Sequence, residues 1–170
     1  MKSLTFGARN IAHVAIKVDN LKLSCKFYEV VLGLKVGKRP PFGYPGAWLG
    51  GLDGIAIIHL YGGDRGVDPI GNPYMESGAV DHVSISCDGY KKIISVLDLI
   101  GLPRREFDVP NTNLRQVFVY DPNGVLLELT FDRDREPDVI NVNIPDNLRY
   151  IANVSFFDRD VTRTALFSLS

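Results

Sequence analysis

One interval limits what this chain of 170 residues can fold into: 69 positions separate His13 from His82, His59 from Glu128, and Asp19 from Asp88. The neighbours of the paired residues match as well. Ile11-Ala12-His13-Val14-Ala15-Ile16-Lys17 answers to Val80-Asp81-His82-Val83-Ser84-Ile85-Ser86, and Ile57-Ile58-His59-Leu60 answers to Leu126-Leu127-Glu128-Leu129. An offset recovered at three places marks an internal duplication, so the fold is built from two copies of one unit.

Side chains alternate across a strand, so Val14, Ile16 and Val18 share one face while His13, Ala15 and Lys17 take the other. In the second copy Val83 and Ile85 likewise oppose His82, Ser84 and Ser86. Both histidines therefore point away from the apolar side. Beyond the first strand, Val18-Asp19-Asn20 supplies capping groups, and Leu21 to Leu34 carries Leu23, Phe27, Val30, Val31 and Leu34 at helical spacing, ended by Gly33. Three short strands follow at Lys35 to Lys38, Ala47 to Leu49 and Ile55 to Tyr61, divided by Pro40 to Gly46 and by Asp53-Gly54.

Residues 62–79 hold glycines, prolines and acids without periodicity and read as a linker. The second copy then repeats the course. Asp88-Gly89 precedes a helix carrying Ile93, Ile94, Val96, Leu97 and Ile100, and Gly101-Leu102-Pro103 stops it. Arg104 to Val109, Leu114 to Tyr120 and the segment around Glu128 are its strands, the last entered through the turn Asp121-Pro122-Asn123-Gly124. The chain is thus expected to be one α+β domain over 1–170, with copies at 10–61 and 80–131. In the extension, 132–170, Leu148, Ile151, Val154 and Phe157 stand three apart, a spacing that leaves helix and strand open. That extension is expected to pack on its own domain or on a partner subunit.

A chain of this length hides roughly two-thirds of its unfolded surface, enough for a core without staples. A net charge of −1 gives no electrostatic case for nucleic acid or anionic membranes. Cys25 and Cys87 lack the spacing of a zinc or redox motif and read as buried thiols. Met1 to Asn10 has no apolar core of signal-peptide length, and no later apolar run reaches the ~20 residues of a membrane helix, so cytoplasmic residence is expected.

An ordered set of motifs now resembles a known family. Ile11-Ala12-His13-Val14-Ala15, Phe27-Tyr28-Glu29-Val30-Val31-Leu32-Gly33-Leu34, Asp81-His82-Val83, and Phe118-Val119-Tyr120-Asp121-Pro122-Asn123-Gly124 leading to Glu128 are similar to the vicinal-oxygen-chelate superfamily. That group includes lactoylglutathione lyase, bleomycin-resistance proteins, methylmalonyl-CoA epimerase and extradiol dioxygenases. The resemblance covers about Asn10 to Phe131. It implies paired βαβββ modules whose curved mixed sheets enclose a metal-binding cavity, with ligands on the first and last strands of each module.

Carried over to this chain, the resemblance implies His13, His82 and Glu128 as metal ligands. It gives His59 two roles: a fourth ligand, as in the lyases and epimerases, or an acid–base group beside the metal, as in the dioxygenases. Two imidazoles and a carboxylate suit Fe(II), with Mn(II), Ni(II), Zn(II) and Co(II) compatible. An ionised Glu128 between leucines needs a cation or a donor nearby. Without a metal, Arg115 is the residue expected to supply it.

Trp48, Gln116 and Phe118 are expected to line the substrate pocket, and Tyr120 is a candidate catalytic group. The implied activity acts on a small substrate through two adjacent oxygens, with an Fe(II) ring-cleaving dioxygenase placed first. A lactoylglutathione-lyase-like or epimerase-like enzyme comes next, and a metal-free drug-binding protein third. Against the dioxygenase stand Phe118, where that branch has tyrosine, and the lack of a histidine around Pro110 to Thr112. A homodimer is expected, with modules paired within one chain or between two.

Overall fold

The computed structural model of the chain describes residues 8–63, 78–136 and 143–167. Most of the linker, and the first seven residues of the amino-terminal run, lie outside the described residues. The first copy forms β1 (Val14–Val18), α1 (Leu21–Leu32), β2 (Lys35–Val36), β3 (Gly46–Gly50) and β4 (Ala56–Gly62). The second forms β5 (Val83–Ser86), α2 (Tyr90–Ile100), β6 (Arg104–Asp108), β7 (Leu114–Tyr120) and β8 (Leu126–Asp132).

Each copy makes a four-stranded mixed sheet, ordered β1-β4-β3-β2 and β5-β8-β7-β6. The first strand of each copy pairs parallel with the last, and the remaining pairings are antiparallel. The expected α+β architecture of two βαβββ modules is therefore present. Both histidines, however, fall one residue before their strands. Val14 is the first paired residue of β1, opposite Ile58. His13 would have to meet Ile57, the extra residue of a β-bulge in β4, where regular pairing ends.

Local chemistry accounts for the helices. The Asn20 side chain accepts from the Leu23 amide at 3.0 Å, and Gly33 closes α1 at φ 65°, a left-handed conformation open to glycine. Gly89 offers α2 no side-chain cap. Instead the Glu136 carboxylate, from beyond β8, takes the amides of Gly89 and Tyr90 at 2.5 and 2.7 Å.

One core joins the two copies. Ile16, Val18, Ile58 and Leu60 from the first sheet and Val117, Val119, Leu127 and Leu129 from the second belong to it, with Phe27 and Leu97 from the helices. Helix α1 also reaches the β7–β8 turn: Tyr28 Oη donates to Asp121 at 3.1 Å, and Asn123 Nδ2 donates to Ser24 Oγ at 3.1 Å. Because alternate residues of β4 and β8 enter this core, His59 and Glu128 project from the opposite faces of their sheets.

The extension is neither one helix nor one strand. A short 3-10 turn at Asp146–Leu148 leads into an irregular run, and then into α3 (Arg159–Phe167). Helix α3 buries Thr162 and Ala165, and Arg163 lies 3.6 Å from Asp19, so the extension packs on its own domain.

Candidate metal centre

In the first module, His59 of β4 stands in register between Ala15 of β1 and Trp48 of β3. Its ring lies between two flat neighbours: His13 at 3.8 Å and 14°, and Trp48 at 4.3 Å and 10°. Only 6% of His59 is exposed. Burial, aided by charge at His13, pushes its pKa below the usual 6.5. The imidazole is therefore neutral near pH 7, with a nitrogen lone pair available.

The second module repeats this geometry with an acid. Glu128 of β8 lies in register between Ser84 of β5 and Phe118 of β7. Ser84 Oγ donates to Glu128 Oε1 at 2.6 Å, and Thr130 Oγ1 donates to the same oxygen at 3.0 Å. Glu128 Oε2 lies 3.4 Å from His82 Nε2, while His82 Nδ1 lies 2.7 Å from Asp81 Oδ1. Asp81, His82 and Glu128 thus form a chain of contacts in which both imidazole nitrogens have a carboxylate neighbour.

Arg115 does not serve Glu128. It is fully buried on the other face of β7, where its Nε and Nη2 donate to Asp108 at 2.7 and 2.9 Å. Strand alternation is the reason, since Glu128 opposes Phe118 and not Arg115.

The four candidate ligands therefore come together as two pairs, His13 with His59 and His82 with Glu128. Among the described residues of one chain, no three of His, Cys, Asp and Glu gather closely enough to hold a metal. A groove of about 590 Å³ does run between β1 and β5, with His13 and His82 on its walls beside Ile57, Ile58, Val83 and Ile85. Neutral imidazole, a carboxylate with one oxygen fixed by hydroxyls, and an acid on the far nitrogen of His82 are the groups that a divalent cation takes.

Gln116, Phe118 and Tyr120 share the Glu128 face, opposite Thr130, Glu128 and Leu126. Trp48 covers His59 in the first module. Phe118 is only 2% exposed, because Tyr150 of the extension lies flat on it at 3.7 Å and 9°. Tyr120 packs on Phe156 and Phe157.

Sequence reasoning did not find Tyr150, since nothing in the extension's spacing says where it lands. Ser84 and Thr130 were within reach, because alternation puts them on the faces of His82 and Glu128. Arg39 was also passed over. Its guanidinium sits 4.8 Å over Phe42 and 4.7 Å over Tyr44, and Nη2 donates to the Tyr44 carbonyl at 3.1 Å.

The sequence profile of the Glyoxalase/Bleomycin resistance protein/Dioxygenase superfamily matches residues 10–129. The chain belongs to that superfamily. Among curated superfamily relatives, a lactoylglutathione lyase of Haemophilus influenzae is 28% identical over 128 residues, 69% of this chain and 89% of that protein. Solved structures of the same fold include a glyoxalase family protein from Bacillus anthracis, with TM-score 0.58, 16% identity, and coverage of 76% of this chain and 99% of that one. A glyoxylase/bleomycin resistance protein/dioxygenase domain from Frankia sp. gives 0.57 at 19% identity, covering 75% and 100%. The fosfomycin resistance protein FosX of Listeria monocytogenes, in a structure with Mn(II) and dihydroxypropylphosphonic acid, gives 0.54 at 12% identity, covering 72% and 92%.

Proposed function

We propose that the protein is a metal-dependent lyase or isomerase of the superfamily, acting on a small molecule with a carbonyl and an adjacent oxygen. One observation carries this reading: His59 occupies in the first sheet the register that Glu128 occupies in the second, each beside its own histidine. That equivalence favours His59 as a fourth ligand over an isolated acid–base group. It thereby reverses the order expected from sequence, in which an Fe(II) dioxygenase came first. The relative named lactoylglutathione lyase supports the same order.

His13, His59, His82 and Glu128 would hold a divalent cation, whose charge would stabilise negative oxygen atoms of the substrate. The chain's own groups do the rest. Asp81 fixes the orientation of His82 through Nδ1. Ser84 and Thr130 hold Glu128 by Oε1, which leaves Oε2, beside His82, as the oxygen that would face the cation. Trp48 and Phe118 wall the site against water, with Gln116 and Tyr120 further along the same face.

Two half-sites in one chain call for a second copy. In a homodimer that joins the first module of one chain to the second module of the other, two-fold symmetry makes two complete sites. Mixing variants tests this. His59→Ala and Glu128→Ala are each expected to be inactive, and refolding them together restores about a quarter of wild-type activity, because half of random dimers are hybrids with one intact site. No recovery on mixing overturns the shared site. The assay compares nickel-loaded protein on a methylglyoxal–thiol hemithioacetal with iron-loaded protein on catechols in an oxygen electrode. Oxygen uptake without hemithioacetal turnover overturns the lyase or isomerase reading.

A further inference from the structure

The superfamily match ends at residue 129, yet the extension beyond it reaches the Glu128 face. Three sets of contacts hold it there. The Tyr150 amide donates to the Glu106 carbonyl at 2.9 Å, beside an isolated bridge between Glu106 and Arg149 at the free edge of β6. The Tyr150 ring covers Phe118. Phe156 and Phe157 clasp Tyr120 at 4.9 and 5.0 Å, with the Arg105 guanidinium 4.9 Å from the Phe156 ring.

The run between these anchors lines a half-open cavity of about 220 Å³ next to Asp81. Tyr120, Tyr150, Asn153 and Ser155 give it hydroxyl and amide groups, and Leu126 and Val154 give it apolar wall. Asn153 turns the chain at φ 63°, a left-handed conformation that asparagine tolerates. Among the described residues, no lysine or arginine lines the cavity, whereas Asp81 does. Tyr150 brings a phenolic hydroxyl to this lining, a group able to donate a hydrogen bond.

We propose that the extension builds a substrate subsite, in which Tyr150 donates a hydrogen bond to an uncharged hydroxyl or carbonyl group at the end of the substrate remote from the cation. The cavity's size, about seven water volumes, accommodates a small group there. Its described lining selects against anions, since among those residues a carboxylate would meet Asp81 with no cation to offset it. This inference rests on the metal-centred reading of the site.

The test uses the full-length chain loaded with Co(II) and follows the metal's visible spectrum during titration with three chelators. Acetohydroxamate reaches the cation alone, 4-hydroxybenzohydroxamate adds a neutral hydroxyl, and 4-carboxybenzohydroxamate adds an anion. The hydroxyl compound is expected to bind about tenfold more tightly than the carboxylate, and Tyr150→Phe to lose threefold to tenfold of that affinity, the loss of one neutral hydrogen bond. Ser155→Trp, which fills the cavity, blocks both ring compounds and leaves acetohydroxamate unaffected. Equal binding of hydroxyl and carboxylate compounds, or titrations of both variants within twofold of wild type, overturns the subsite while Co(II) uptake stands. A wild-type chain that takes up no Co(II) overturns the metal reading and this inference with it.

Discussion

Asp81 meets the candidate metal ligands through His82, whose Nδ1 lies 2.7 Å from its carboxylate. A carboxylate on one ring nitrogen fixes the tautomer and turns the other nitrogen inward. Asp81→Ala is therefore expected to weaken Co(II) or Zn(II) affinity about 10- to 100-fold, measured by competition with a chromophoric chelator. Folding stability changes little, because the Asp81 side chain is 65% exposed. Unaltered affinity would mean that something else orients His82. Ser84 was legible in sequence through its parity with His82. The Asp81 contact was not, since regular alternation puts adjacent residues on opposite faces, and the pair meets only because the backbone before β5 is unpaired.

At the scale of elements, the repeat is regular at its ends and shifted in its middle. His59 and Glu128 are 69 positions apart, but the residues that face them across the antiparallel pairing, Trp48 and Phe118, are 70 apart. The bulge at Ile57 absorbs the extra residue and keeps His59 on the site face, where a simple slip would have turned it into the core. Close packing of β3 on β4 makes glycine obligatory at Gly46. A Cβ there would lie 2.5 Å from the Leu60 carbonyl oxygen and 3.1 Å from the Arg39 guanidinium. At Gly33 it would meet nothing within 4 Å, and only the left-handed backbone resists a side chain. Urea unfolding is expected to put Gly33→Ala about 1 kcal/mol below wild type. Gly46→Ala is expected to lose about 2–4 kcal/mol, since main chain must move to admit it. Equal losses would show that β3 shifts freely on β4.

Across the whole molecule, the β7–β8 turn of the second module is fastened to α1 of the first. Asp121 is fully buried there, accepting from Tyr28 Oη, from the Asn123 side chain, and from the amides of Asn123 and Val125. Burial outweighs these bonds and raises its carboxyl pKa above 3.8. A raised acid pKa means that the native state holds the proton more tightly than the unfolded chain. The contribution is complete below pH 3.8 and is lost as pH rises through the native pKa. Asp121→Asn removes that titration. In denaturant melts, the stability of wild type relative to Asp121→Asn should therefore fall as pH rises above 3.8. A rise over that range would mean that the hydrogen bonds outweigh burial.

The sequence alone determined the duplicated strand–helix–three-strand unit, the face each strand turns inward, and the four polar residues at matched positions. All of these follow from local periodicity, capping and turn chemistry, which act over a few residues. Tertiary structure decided the rest: that Arg115 serves Asp108, that the ligand candidates gather as two pairs, and that Tyr150 covers Phe118. Those outcomes depend on which surfaces meet after the chain collapses. A residue such as Tyr150, in a segment of no clear period, acquires its place only from the edge of β6 and the ring already waiting on β7.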